Sequence, residues 1–580
     1  MSPEEVRDKL LTTNDTIESL LELVNDIYIQ EIHSEEKVLT NVLTELHNLG
    51  MIDFVKAVSF IDRSSFGRDF FNIFLILKKI LPSLNARVED VLACLVHLKH
   101  QADGDLAFNG IYRSFKHFCS EKVNRPIDSV EFILQQSELS SYASFLSDSI
   151  LAYDSKRIDE AIHIVKRLLI NDNEFVRAQT YYTLGMLEVE ETKACVVWNL
   201  LNSSASKEKI SSCRAAILKA VLLFGAEFPS YWQHIEELLI SFFEESSPEI
   251  LYEISAVLAF NKINFTESIL YLLVRKLASI SPEHTGIIDN IDHLLVKLLE
   301  ERLHSLTIEL LESMLAAGVK FILLDYFSHE LLNKHQELLN HIITKWFLSG
   351  EPIFCHAVFD LLSHSENEYI ELKADTILLD NTIKQIFVSR KAVGWLFMQP
   401  IMAVSFIISI YEVSSLEASK ALKQILYDPM LLSYPGKLKQ FFQSCIEEEI
   451  ERSLCEHLLM TLQNYYSDLD KVSGLKELKA PKENISAYWQ SFNKDMKKAY
   501  EEKSESSAIW SIVSKKKLLY GNSSIYYLNH GENNAIRQEV PLRSFSHSTE
   551  MPTLNVLDPE SLDYILRYYR CERLKDEINS

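Results

Sequence analysis

The chain has little glycine and little proline, with 14 of each among 580 residues. A β-sandwich or β-barrel needs turn residues every few positions, so this scarcity argues against a strand-rich fold. Hydrophobic residues make up 47% of the chain and recur at the spacing of helix faces. The composition therefore predicts a large, folded, all-α protein.

Paired cysteine motifs are also missing. The eight cysteines stand at positions 94, 119, 195, 213, 355, 445, 455 and 571, with no CxxC pair among them. Small secreted scaffolds and zinc sites show closer and more regular spacing, so we interpret these residues as reduced thiols. The first residues, MSPEEVRDKLL, fit a capped helix and lack the basic flank and apolar stretch of a signal peptide. Together these features predict a cytoplasmic protein.

Positive charge is in short supply, and the formal net charge is −24. A general nucleic-acid binder needs a concentrated surface of Lys and Arg to neutralise phosphates. The acidic balance argues against that function and favours either simple solubility or a protein partner with a basic surface.

One uncharged run is long enough to be a membrane-spanning helix, which would contradict the interpretation of a soluble protein. Residues 392–411, AVGWLFMQPIMAVSFIISIY, contain no charge over 20 positions, a length that can span a bilayer. Pro400 lies in the middle of the run, and proline suits the first turn of a new helix. We therefore predict two buried helices that meet near Met398 to Pro400, and no membrane span.

The stretch NDNEFVRAQTYYTLGML, residues 171–187, begins with turn and cap residues and continues with apolar side chains on more than one side of a helix. It resembles the second helix of a HEAT repeat, which has a polar turn, then Val-Arg, then Leu-Gly eight residues later. Here these are Val176-Arg177 and the Leu-Gly pair at 184–185, with Thr180 where the family has alanine.

A second copy follows at the interval that such a family requires. Within residues 207–225, Arg214 lies 37 residues after Arg177, and Gly225 lies 40 after Gly185. Weaker copies, each a polar or Pro-containing turn before an apolar helix, begin at 246, 303 and 349. Stacked helix pairs bury a continuous core and leave a long concave surface, so the resemblance implies a HEAT-like or armadillo-like α-solenoid.

The charge pattern changes near residue 470. Residues 1–470 carry 41 Lys/Arg and 67 Asp/Glu, whereas residues 471–520 carry 11 and 6. We predict three regions: helices at 1–154 that cap or extend the solenoid, the α-solenoid at 155–465, and a C-terminal module at 471–580.

The C-terminal module combines basic and aromatic residues with a weakly helical pattern. Runs at 525–528 and through Val540 are predicted to pair as a β-ribbon or to form an ordered loop, followed by a final helix. Charge and stacking can bring such a segment onto RNA or DNA. The predicted interaction residues are Lys515, Lys516, Lys517, Tyr526 and Tyr527.

Motifs for nucleotide, hydrolase or metal chemistry are lacking. The chain has no GxxxxGK[ST], GxGxxG or GxSxG, and we predict no cofactor and no metal. In HELLNKH, a zinc protease helix would place its second histidine at Asn333, four residues after His329. His97 and His100 share a helix face but have no third ligand fixed by the sequence.

The alternative enzymatic interpretation concerns Arg452 and His457. The sequence RSLCEH resembles the Arg-x4-His active-site motif of HEPN ribonucleases, an all-α family in which both residues act on the scissile phosphate. Ser453 stands where that family has a polar Asn, Asp or His. The competing interpretation is structural, with Arg452 paired to Glu448 at helical spacing.

Taken together, the sequence favours a non-enzymatic scaffold or adaptor that binds a protein partner through an extended acidic solenoid surface.

Overall fold

The computed structural model describes residues 1–12, 16–32, 38–67, 69–243, 247–365, 370–475, 523–528, 536–541, 550–553 and 560–574, with isolated positions between 486 and 501. Two compact units divide the chain, residues 1–319 and 320–580. The predicted boundaries near 154 and 470 differ from this division and stay predictions.

The first unit is built from helices joined by short turns. These are α1 (Pro3–Thr12), α2 (Ile17–Glu31), α3 (Leu39–Asn48), α4 (Phe54–Val58), α5 (Arg63–Phe66), α6 (Asp69–Ile80), α7 (Val88–Ala102), α8 (Gly110–Ser120), α9 (Arg125–Leu134), α10 (Leu139–Tyr142), α11 (Leu146–Ile150), α12 (Ile158–Leu168), α13 (Glu174–Met186), α14 (Glu191–Ala205), α15 (Ser211–Glu227), α16 (Trp232–Phe242), α17 (Pro248–Phe260), α18 (Glu267–Leu277), α19 (Thr285–Glu300) and α20 (His304–Ala316).

Four of these helices begin at a constant interval. α13, α15, α17 and α19 start at Glu174, Ser211, Pro248 and Thr285, so that 37 residues separate each start from the next. They pack against one another in chain order and form the second row, and each is preceded by a helix of the first row, which consists of α12, α14, α16 and α18. This arrangement is the packing of an α-solenoid, and it confirms the predicted fold class.

One predicted copy belongs to the other row. The stretch that begins at 303 forms α20, which packs against α18 and α19 and continues the first row. The second-row helix at this level is α19, which sequence comparison within the chain did not single out. Its start lacks the Val-Arg pair, so only the 37-residue interval marks it.

The repeat-like residues of α13 hold it against its neighbours. Asn173 caps the helix, because its Oδ1 accepts hydrogen bonds from the N–H groups of Phe175 and Val176. Val176 is fully buried. A Cβ added at Gly185 would lie 2.4 Å from the Cα of Ala220 on α15, so the two helices approach too closely for any side chain there.

The second unit is also helical among its described residues. Its helices are α21 (Asp325–Lys334), α22 (Gln336–Ser349), α23 (Pro352–Ser363), α24 (Thr382–Leu396), α25 (Pro400–Tyr411), α26 (Leu416–Ile425), α27 (Pro435–Glu447), α28 (Arg452–Val472) and α29 (Ser561–Cys571). Two strands, β1 (Ser523–Leu528) and β2 (Ile536–Pro541), pair antiparallel with Ser523 opposite Pro541 and Leu528 opposite Ile536. The strands occupy the two runs in which the sequence predicts a β-ribbon or an ordered loop.

The uncharged run divides as predicted. α24 ends at Leu396, and α25 begins at Pro400, where the missing N–H of proline costs no helical hydrogen bond. Most residues of α25 are buried within the second unit. Among the helices that the structure describes, none has the combination of length and apolar character needed to cross a membrane.

Candidate functional site

Arg452 and His457 lie on the first two turns of α28, and both side chains are exposed. Arg452 donates to Glu456 at 2.9 Å and to Glu449 at 2.5 Å. The predicted partner, Glu448, is wrong: α27 ends at Glu447, so Glu448 is not on the same helix as Arg452 and helical spacing does not apply. The guanidinium of Arg452 is therefore paired with two carboxylates, whereas in a ribonuclease it would bind the scissile phosphate.

The predicted interaction residues of the C-terminal module are only partly described. Lys515, Lys516 and Lys517 lie outside the described residues. Tyr526 and Tyr527 fall in β1, where their backbones pair with Gln538 and Arg537. Contact with nucleic acid through this segment stays a prediction.

The histidines considered as metal ligands have other partners or lie on the surface. His97 Nε2 lies 2.7 Å from the carbonyl oxygen of Ile61, and His100 Nε2 lies 3.1 Å from the hydroxyl of Ser141. His329 is exposed on α21. The described part of the chain contains no group of three or more His, Cys, Asp or Glu side chains arranged to hold a metal ion.

Arg177 of the Val-Arg pair joins two successive repeats. Its Nε lies 2.9 Å from Glu208 Oε2, in the turn before α15, and its Nη1 donates to the carbonyl oxygen of Asn171 at 2.8 Å. Burial alone would raise the pKa of Glu208, but hydrogen bonds from Arg177 and from backbone N–H groups outweigh it and hold the pKa below its ordinary value. This half-buried pair is structural.

Arg214 likewise joins its own repeat to the next one along the chain. Its guanidinium lies 4.1 Å from the ring centroid of Phe242 and donates to the Phe242 carbonyl oxygen at 3.0 Å. The arginines that recur at 37 residues thus hold one repeat to the next, and neither is available as a binding residue.

An open groove lies where three second-row helices begin. It is lined by residues from 212–215 of α15, 248–253 of α17, and 283–287 at and just before the start of α19, and its volume is about 580 Å³. We call this surface the α17 groove. The constant repeat interval places the three helix starts side by side, and this is why residues some 70 positions apart line one surface.

The α17 groove combines apolar and acidic side chains. Ala215 and Ile287 are buried at its base, while the ring of Tyr252 is 49% exposed. Glu249 and Glu283 are exposed, and within the described residues neither makes an ion pair. An exposed aromatic ring beside two available carboxylates is a surface suited to binding.

The third carboxylate of the groove is already paired. Glu253 lies 3.1 Å from the ammonium group of Lys219, which itself lies 5.3 Å from the ring centroid of Tyr182. The residues that line the groove include His284 but no Lys or Arg, so carboxylates dominate its charge. The repeat that begins at 246 is recognisable in the sequence by its Pro-containing turn, but no sequence signal connects this turn with Glu283.

In the second unit, the final helix docks on α24 through a buried lysine. Lys391 is fully buried, and its ammonium group donates to the carbonyl oxygens of Arg570 at 2.7 Å and Glu572 at 2.5 Å. Burial lowers the pKa of Lys391. Arg390 adds an ion pair with Glu572 at 2.8 Å, so two adjacent basic residues of α24 hold the C-terminal end of α29.

A short segment before α29 also contacts the helices of the second unit. The carboxylate of Glu550 accepts hydrogen bonds from the N–H groups of Gly436 at 2.7 Å and Lys437 at 2.6 Å, in the first turn of α27. The N–H of Thr553 donates to the carbonyl oxygen of Ser433 at 2.7 Å. Residues 550–553 and α29 therefore pack on helices of their own unit.

Comparison with known proteins adds no assignment, since no family model matches the chain and no curated protein matches it.

Proposed function

We propose that this chain is a non-enzymatic scaffold or adaptor that binds a protein partner within a multiprotein assembly. The observation that carries the proposal is the α17 groove, an open surface with apolar and acidic side chains, where Glu249 and Glu283 make no ion pair with any residue that the structure describes. Successive repeats present such surfaces at regular intervals, which suits binding to extended partners.

Exposed aromatic residues on the second row support the same function. Phe175 on α13 is 47% exposed, and Phe260 at the end of α17 is 59% exposed. Aromatic side chains are enriched at protein interfaces because they bury much area with little loss of rotamer freedom. Together with Tyr252 they give α13 and α17 large apolar contacts that the first unit itself leaves uncovered.

The proposal includes the family and the location. We infer from the Val-Arg pair, the glycine contact and the 37-residue interval that the first unit is a degenerate HEAT-like array, and we place the protein in the cytoplasm. Its acidic character, with a net charge of −24, favours a partner with a basic surface.

Affinity purification of the full chain from its native cell, followed by mass spectrometry, tests the scaffold function. We expect a defined protein partner in stoichiometric amount, retained after nuclease treatment and weakened by added salt. A chain recovered alone, or a partner lost on nuclease treatment, would contradict the proposal. The second outcome would favour RNA or DNA contact through the C-terminal module.

A further inference from the structure

We propose that the α17 groove binds an extended, basic and apolar peptide segment of the partner protein. This inference rests on the proposed function and makes it specific, since it names one surface and the chemistry of its occupant.

The apolar half of the occupant follows from the base of the groove. Ala215 and Ile287 supply a buried base, and the half-exposed ring of Tyr252 stands beside it. A volume of about 580 Å³ lies in the range of natural ligand sites and accommodates a few side chains. An aliphatic or aromatic side chain placed there covers the ring and removes apolar surface from water.

The basic half follows from the charge of the lining residues. Glu249 and Glu283 are exposed without an ion pair among the described residues, whereas Glu253 is paired with Lys219 and adds no net charge. Each of the three helix N-termini contributes a positive partial charge of about 0.5, which is too small in total to reverse the sign. An acidic segment would be repelled, whereas Lys or Arg can pair with the carboxylates and stack on Tyr252.

Gly286 shows that the groove has unused space. A Cβ added there meets nothing within 4 Å, although Gly286 lies in the first turn of α19. Replacement by alanine therefore leaves the groove open, whereas a phenylalanine at this position would place a ring in part of that space. The position provides a steric test that is independent of charge.

Fluorescence anisotropy with the full chain tests the proposal. The probe is a short labelled peptide that alternates Lys or Arg with Leu or Tyr. One comparison peptide has Glu at every basic position, and another has Ser at every apolar position. We expect the first peptide to bind best, and the double variant Glu249→Lys/Glu283→Lys to weaken its binding at least about tenfold.

Control variants distinguish binding in the groove from an effect of net charge alone. Glu191→Lys changes an exposed carboxylate in the first turn of α14, as Glu249→Lys does in α17, and should leave binding nearly unchanged. Gly286→Phe should abolish binding, and Gly286→Ala should not. Unchanged melting temperatures for all variants would show that each comparison concerns folded protein.

Three results would overturn the inference. They are equal binding of the basic probe to wild type and to Glu249→Lys/Glu283→Lys, equal binding of the acidic peptide, and insensitivity to Gly286→Phe. If a native partner is still captured by the groove variants, the scaffold function stands and only the groove assignment fails. If no partner is captured by wild type, the scaffold function itself fails.

Discussion

The two compact units hold their helices together through contacts of different range along the chain. In the first unit, Arg177 pairs with Glu208, 31 residues away, and Arg275 pairs with Glu309, 34 residues away. In the second unit, Lys391 bonds to the carbonyl oxygen of Arg570, 179 residues away. The contacts named in the first unit join neighbouring repeats, as is typical of a solenoid. In the second unit, the C-terminal helix α29 also packs on α24, which lies far from it in sequence.

Val176→Asp should break the local contacts of the first unit most severely. Val176 is fully buried, so the aspartate would place an unpaired charge between stacked helices and lower the free energy of unfolding by about 3 to 5 kcal/mol. Chemical denaturation measures the loss. Phe175→Asp, at a neighbouring position that is 47% exposed, is the control and should cost less than about 1 kcal/mol. Equal costs would mean that the buried face of α13 is misassigned.

Lys391→Met tests the long-range closure of the second unit. It should leave two part-buried carbonyl oxygens without their donor and cost about 2 kcal/mol, because the variant no longer buries a charged ammonium group and this gain offsets part of the loss. Hydrogen exchange should accelerate in α29. Lys384→Met, which removes only the surface ion pair with Asp380 near the start of α24, should leave stability nearly unchanged. Unchanged exchange in α29 would show that Lys391 does not hold the helix.

Asp148→Asn should stabilise the first unit in a pH-dependent way. Burial raises the pKa of Asp148 from 3.8 to about 6, with Lys116 opposing the shift. The folded state therefore binds a proton more tightly than the unfolded state, and the penalty for the charged carboxylate is largest above pH 6 and disappears as the pH falls below about 4. We expect a gain of at most roughly 3 kcal/mol at pH 7 and almost none at about pH 3. A gain that does not vary with pH would contradict this cause; the exposed Asp172→Asn is the control.

Arg452→Ala and His457→Ala should have the smallest effects. Arg452 makes exposed ion pairs with Glu449 and Glu456, and solvent screening leaves such surface pairs with little effect on stability. The melting temperature and partner capture should remain close to wild type. Neither the wild type nor the variants should cleave RNA. Purified wild type that cuts RNA, together with two stable and inactive variants, would instead establish a HEPN-like ribonuclease.

Local sequence signals predicted the elements of both units well. The scarcity of glycine and proline indicated helices, Pro400 marked the break between α24 and α25, and Asn173 marked the cap of α13. Each of these signals acts within one or two turns of the residue concerned, so it does not depend on the rest of the fold.

The candidate site was less accessible from the sequence. The Pro248-Glu249 turn is recognisable in the sequence as the start of a repeat. Glu283 lies in a loop and Gly286 in the first turn of α19, and neither belongs to a recognisable motif. Lys391 resembles an ordinary charged residue beside an apolar run, and only its burial against α29 reveals its role.

By itself, the sequence determined the helical class, the repeat interval beginning at Val176-Arg177, and the acidic character of the chain. Tertiary structure decided which residues share a surface: the α17 groove joins the starts of three helices, and α29 returns to α24 across 179 positions. The physical reason is that helix periodicity and capping are local properties of the chain, whereas a groove or a docked helix exists only after distant segments have packed.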